Sequence, residues 1–241
     1  MFRIPAIKYI VDEAQKRAEK VGRLNGSITG GEGNLAGAIF EITHYLLFGG
    51  EITSGFEMFH YDLSMPEGWF RSDTKFGTKL ECKSKRRTIT NADLRWDASI
   101  AHNAGKGVKQ ECDVYTFASV HSDWIWFMGL IPKEEYFLGR KGDLLQEEEI
   151  DSRNRPVKRW KQLSDGAEFR KKGRPYDENG FICQEDCWNR PYSYLYQYEL
   201  TDIPAEGQER LGEILKQARK EGWGGSPEYI FGQDPDLQFY N

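Results

Sequence analysis

Apolar residues recur along this chain with two periods, and the switches between them mark out elements. From Ala6 to Val21, Ile7, Ile10, Val11, Ala14 and Ala18 fall near helical spacing. Asn34 is an N-cap residue for a second helix, Leu35 to Phe48, whose Leu35, Ile39, Ile42, Leu46 and Leu47 share a face and which ends at Gly49-Gly50. Glu51 to Met65 alternates most clearly in FEMFHYDLS and predicts a strand, followed by a turn at Pro66-Glu67-Gly68. Trp69 to Arg87 reads as two strands joined at Phe76-Gly77-Thr78. The following TITNADLRWDASIAHNA predicts a crossover helix capped by Asn91 or Asp93. DVYTFASV is an apolar run of the kind buried in a mixed sheet, and a polar turn at His121-Ser122-Asp123 leads to a strand from Trp124 to Leu130. Ile131 to Glu135 turns into a short helix, Pro204 to Trp223 predicts a polar helix, and the tail to Asn241 is expected to be loosely attached. Strands and helices intermix, so the fold class is α/β.

The 69–87 segment carries chemistry as well as pattern. In a hairpin centred on Gly77, Asp73 stands across from Glu81, and Lys83 shares their face. Phe70, Phe76, Leu80 and Cys82 fall on the other face, which suits packing. Two neighbouring carboxylates repel, which favours a cation beside them, and oxygen ligands of this kind suit Mg²⁺. Such an ion with a lysine alongside would serve phosphodiester hydrolysis. The same three charges on an exposed hairpin would equally be solvated cross-strand neighbours. Asp62 and His60 lie on the preceding strand, Asp62 as a rival ligand or a strand-end carboxylate, His60 as a base or a structural residue. Glu41 sits within the apolar second helix, one turn after Gly37, which would permit close approach of another element. The glycine-rich Asn25 to Asn34 has no Gly-Lys-Ser/Thr and is not a Walker A loop.

Asp73, then Glu81-x-Lys83 and Ser84-Lys85-Arg86, resembles the PD-(D/E)XK nuclease superfamily, and ECKSKR is similar to archaeal Holliday-junction resolvases. GEGNLAGAIFE is similar to nuclease-like proteins of phages and archaea, in which the corresponding helix supplies the first acid, here Glu41. The chain departs from the pattern in having Ser72 where the name-giving proline stands, and its Asp-to-Glu spacing is short, which keeps Asp62 in contention. The resemblance implies a restriction-endonuclease-like core over residues 27–137, a mixed central sheet flanked by helices, with an N-terminal helical arm (1–26) and a C-terminal extension (138–241). It implies a DNA endonuclease using Mg²⁺, with Mn²⁺ substituting. Asp73, Glu81 and the Cys82 carbonyl would hold the metal, Lys83 would position or activate water, Glu41 would support a second metal or a water, and Gln110 would be an auxiliary residue. Branched or duplex DNA, a 5′ exonuclease, and a non-catalytic nucleic-acid-binding module all remain open, as does a homodimer.

Charge narrows how DNA would be held. The net charge of −5 argues against whole-surface affinity for nucleic acid. The positive charge is concentrated instead in Lys85, Arg86 and Arg87 and in a stretch holding Arg153, Arg155, Lys158, Arg159, Lys161, Arg170, Lys171, Lys172 and Arg174, interleaved with Trp160 and Phe169. An acidic stretch, Lys133 to Asp151, precedes it. Aromatic residues make up 14% of the chain, too many for disorder, and the tyrosines of WNRPYSYLYQY (188–198) are expected to pack rather than stack on bases. Cys82, Cys112, Cys183 and Cys187 form no disulfide framework, and Cys183-x3-Cys187 lacks zinc spacing. With no membrane-length apolar run and no signal-peptide form, the expectation is a soluble, cytoplasmic protein, in keeping with the phage-like resemblance.

Overall fold

The computed structural model describes residues 1–21, 32–54, 60–72, 75–88, 91–101, 111–138, 146–150, 156–160, 167–173 and 187–223. In chain order the first elements are β1 (Phe2–Pro5), α1 (Lys8–Val21), α2 (Glu32–Phe48), β2 (Glu51–Ile52), β3 (Leu63–Ser64), β4 (Lys79–Arg86) and β5 (Asp97–Ala101). There follow β6 (Val114–Val120), β7 (Trp124–Pro132), α3 (Lys133–Leu138), β8 (Gln146–Ile150), β9 (Pro156–Trp160), β10 (Glu168–Arg170), β11 (Cys187–Pro191) and α4 (Ala205–Lys220).

The apolar run in β6 makes it the centre of a mixed sheet. All its residues are buried, as a strand covered on both faces requires. It pairs parallel with β4 and antiparallel with β7, and among the described residues the sheet has six strands in the order β1-β7-β6-β4-β3-β2. Alternation along β6 builds two cores. Val114, Ala118 and Val120 join α1, α2 and α4 on one face. Tyr115 and Phe117 join Tyr136 of α3, Ala98 and Ile100 of β5, and Tyr192 on the other. A smaller sheet, β10-β11-β5, lies on that second side, and β8 and β9 pair as a separate ribbon.

Several expected elements change. The described residues of this stretch, 69–72 and 75, form no strand, and the antiparallel neighbour of β4 among the described residues is β3. Arg71 and Ser72 adopt positive φ, 48° and 50°, which breaks extended backbone. Phe70 and Phe76 are buried with their rings 4.9 Å apart, so these apolar positions of the alternation are anchored by aromatic packing. Gly77 also has a different reason from a hairpin turn, because a Cβ there would lie 2.5 Å from the Asp113 side chain. The predicted crossover helix is instead a turn and β5. Asp93 does cap, but through an Asx turn to the Arg95 amide at 2.8 Å, after which Ala98 and Ile100 point inward at period two. Asn34 lies inside α2, which starts at Glu32. At Gly37 a Cβ would meet, among the described residues, only Glu41 Oε1 at 3.8 Å, so no described element approaches closely there.

The N-terminal segment and the described part of the C-terminal third are built into the same core, and the tail from 224 onward lies outside the described residues. Phe2 and Ile4 of β1, Ile7 just before α1, and Ile10 and Ala14 of α1 are buried with α2, so packing accounts for the N-terminal helix. Tyr192, Leu195 and Tyr198 are also buried, as the aromatic segment led one to expect. Helix α4 presses Gly207 against α2, where a Cβ would fall 1.8 Å from the Leu47 carbonyl oxygen. Gly207→Val is therefore expected to cost about 1–3 kcal/mol through overpacking, or about 2–4 °C of melting temperature per kcal/mol in a chain of this size. Thermal melts of the two proteins check this, and equal midpoints would contradict it.

Candidate functional site

The β3–β4 pair of the main sheet and the helix α2 beside it gather four of the predicted residues. β3 and β4 pair with Leu63 opposite Leu80 and Ser64 opposite Lys79, so stepping the register on by one residue sets Asp62 opposite Glu81. The Asp62 amide donates to the Leu80 carbonyl at 2.8 Å, and the Cys82 amide donates to Asp62 Oδ2 at 2.6 Å. Period two along β4 then places Glu81 and Lys83 on one face, with Lys83 Nζ donating to Glu81 Oε1 at 2.5 Å. Their side chains are only 12% and 25% exposed, which strengthens every charge interaction among them. Behind them, Glu41 on α2 is ion-paired to Arg17 on α1.

The electrostatics follow from this crowding. Burial, and next the Glu81 and Glu41 charges, raise the Asp62 carboxyl well above the usual aspartate range, with Lys83 and the Cys82 amide opposing. Burial also raises Glu41, against the pull of Arg17. For Lys83 burial is the largest single influence and disfavours the charge, but Glu81 and Asp62 together outweigh it and hold the ammonium above its ordinary value. Lys83 therefore keeps its proton at neutral pH and acts as a fixed positive charge rather than a base. Cys112 and Tyr115 lie at the floor; the Cys112 thiol is pushed up to about 12 by burial and by Glu81, and Tyr115 stands beside Glu81 in the β4–β6 register.

Asp73 and Gln110 lie outside the described residues. The facing carboxylate that the hairpin reading sought in Asp73 is therefore supplied, among the described residues, by Asp62. The Cys82 thiol is buried with the helical core, on the face of β4 opposite Glu81. His60 is held by Glu111, with Nδ1 3.8 Å from Oε1 and the His60 carbonyl accepting the Glu111 amide. Two contributors escape the sequence reading, Arg17 and Thr53. Thr53 Oγ1 donates to the carbonyls of Tyr61 and Asp62 at 2.7 and 3.0 Å and fixes the strand end that carries Asp62. Arg17 had a faint signal: it falls three residues after buried Ala14, at the margin of the packed face of α1.

The basic residues divide. Arg86 is exposed, as are Lys171 and Lys172, whereas Arg87 lies 4.4 Å over the Trp96 ring. Lys85 is turned inward, donating to the Asp97 carbonyl at 3.0 Å and Ser99 Oγ at 2.8 Å, and burial with nearby Arg87 lowers it to about 8. Arg170 is ion-paired to Asp97 and Glu168. Lys85 thus ties β4 of the main sheet to β5 of the smaller one, and Arg170 braces the smaller sheet from within, instead of facing outward. Lys158 and Arg159 stand on β9 opposite Glu148 and Glu147 of β8, so part of the basic stretch is paired in register with the acidic one. Arg153, Arg155, Lys161, Arg174 and Cys183 lie outside the described residues.

No family model, curated protein or solved structure matches this chain. Among the described residues no group of three or more His, Cys, Asp or Glu side chains is arranged to hold a metal ion. A hard divalent cation needs less. Mg²⁺ is commonly held by one or two carboxylates, with waters and substrate phosphate completing its shell. Asp62 and Glu81 fit that demand, being oxygen donors on adjacent strands whose mutual repulsion a cation would relieve. No helix among the described residues is long and apolar enough to cross a membrane.

Proposed function

We propose that this protein is a Mg²⁺-dependent DNA endonuclease built on a restriction-endonuclease-like core, with Mn²⁺ able to substitute. The observation that carries the reading is the β3–β4 register, which sets Asp62 against Glu81 with Lys83 one step further on the same face. Asp62, rather than Asp73, takes the aspartate role. The order of parts supports it: a helix bearing Glu41, a strand end bearing Asp62, then the strand bearing Glu81-x-Lys83 parallel to an apolar strand. The connection from β4 to β6 departs from the expected helix, running through β5.

A divalent ion held by Asp62 and Glu81 would supply Lewis acidity toward a phosphodiester and toward water. Lys83, permanently charged, stabilises negative charge gathering on the phosphate and orients water by donation. Glu41 adds negative potential from α2. Of the predicted DNA contacts among the described residues, Arg86, Lys171 and Lys172 are exposed and would meet phosphates, so binding should weaken steeply with salt. Branched and duplex DNA both suit this chemistry.

A second reading has its own support: each acid already has a protein partner, Arg17 for Glu41, Lys83 for Glu81 and the Cys82 amide for Asp62. A nucleic-acid-binding module without catalysis would look the same. Incubating supercoiled plasmid and a synthetic four-way junction with Mg²⁺, Mn²⁺ or EDTA separates the two, using wild type, Glu81→Ala and Lys83→Ala. The nuclease reading expects metal-dependent cutting that both variants lose by about 10²-fold or more. DNA binding without cutting of either substrate would leave the binding module.

A further inference from the structure

Arg17 is tied to both acids that flank Glu81. Its Nε donates to Glu41 Oε2, and its Nη1 donates to the Thr53 carbonyl at 3.2 Å. Thr53 in turn holds Asp62, its amide and its hydroxyl each donating to the Asp62 carbonyl at 3.0 Å. The Arg17 side chain is only 16% exposed, and its guanidinium cannot shed its charge at any accessible pH. It therefore brings a permanent cation to the side of the acidic cluster where α2 contributes Glu41.

We propose that Arg17 takes the place of a second metal ion, so that the site binds a single divalent cation at Asp62 and Glu81 and Glu41 is not a ligand. This rests on the metal-site reading above and sharpens it. With Arg17 and Lys83 set against Glu41, Asp62 and Glu81, the fully ionised cluster has a formal charge of −1, which one divalent ion already overcompensates, so a second ion would enter a positive site. For Glu41 to ligate a second ion it would have to leave Arg17, stranding a largely buried guanidinium without its carboxylate, which costs more than loss of an exposed pair. Arg17 is in this account a positioning residue: it fixes Glu41 directly and the Asp62 peptide through Thr53.

Titration of the full chain with Mn²⁺ in the absence of DNA, following free Mn²⁺ by electron paramagnetic resonance, reads the stoichiometry independently of cleavage. The expected result is one ion bound to wild type, still one in Glu41→Gln, and none in Asp62→Asn. Arg17→Met, which keeps an apolar stem and removes the charge, should admit a second ion, and Arg17→Lys should return to one. Two ions on wild type, loss of the ion in Glu41→Gln, or a folded Arg17→Met that still binds one would each overturn the proposal. The wild-type and Glu41→Gln titrations decide it even if Arg17→Met fails to fold. A wild type that binds no Mn²⁺ would instead overturn the metal-site reading itself.

Discussion

Asp62→Asn is expected to lose metal-dependent cleavage by about 10²–10³-fold, while Asp73→Asn cuts at the wild-type rate. The contrast follows from which residue the sheet sets beside Glu81. β3 is only two residues long, yet its pairing with Leu80 and Lys79 fixes the position of the residue before it. The same substitution should not unfold the protein. Asp62 lies near Glu81 and Glu41, and its carboxyl is raised by burial and by those charges. A group whose folded pKa is raised above its unfolded value destabilises the fold once pH exceeds the unfolded value, so an uncharged Asn removes a penalty at neutral pH. Asparagine also keeps an oxygen for the Cys82 amide. Initial rates of plasmid nicking, measured beside urea unfolding midpoints, check both halves: activity falls while the midpoint stays or rises. Loss of activity together with a large drop in midpoint would mean that Asp62 is a folding residue.

The second large effect concerns acid stability and His44. Its ring is fully buried among Phe40, Phe48, Trp69 and Phe127, with Nε2 3.1 Å from the Tyr198 hydroxyl and Nδ1 without a partner. Burial lowers its pKa from 6.5 to about 3. Between those values the unfolded chain binds a proton at this site and the folded chain does not, so stability falls as pH falls. The contribution is intact above pH 6.5 and is lost at about 1.4 kcal/mol per pH unit below it. At pH 4.5 the loss from this one ring is roughly 2–3 kcal/mol. Asp62 and Glu41 work in the opposite sense, since raised carboxyls relieve a penalty on protonation, so the wild-type profile alone does not isolate His44. Comparing urea unfolding at pH 7.5 and 4.5 for wild type and His44→Gln does. The variant should lose less stability across that interval, and equal losses would show that the buried ring carries no such linkage.

Much of the framework was legible because it depends on local pattern. The apolar run of β6, the turn at His121-Ser122-Asp123 and the period-two placement of Glu81 and Lys83 need no knowledge of partners. So does the end of α2 at Gly49 and Gly50, both at positive φ as expected. The misses share a cause, which is that pairing across a gap has no local signature. Alternation in residues 69–76 resembles a strand, but positive φ at Arg71 and Ser72 breaks extended backbone there, and among the described residues the carboxylate facing Glu81 is Asp62. β5 looked helical by capping and length, although Ala98 and Ile100 alternate with polar neighbours, and only the docking of β11 against it makes a strand. Arg17 had only its place at the margin of the packed face of α1 to mark it, because its partner Glu41 lies on another helix. Lys85 and Arg170 looked like phosphate contacts by charge, whereas their partners Ser99 and Asp97 turn them inward.

The most direct test of the account is nicking of supercoiled plasmid by the purified full chain with Mg²⁺, run beside the same reaction with EDTA and beside Asp62→Asn. The account predicts nicking in Mg²⁺ alone, abolished by EDTA and lost in the variant. Nicking that survives EDTA, or an Asp62→Asn protein that cuts as fast as wild type, would contradict it.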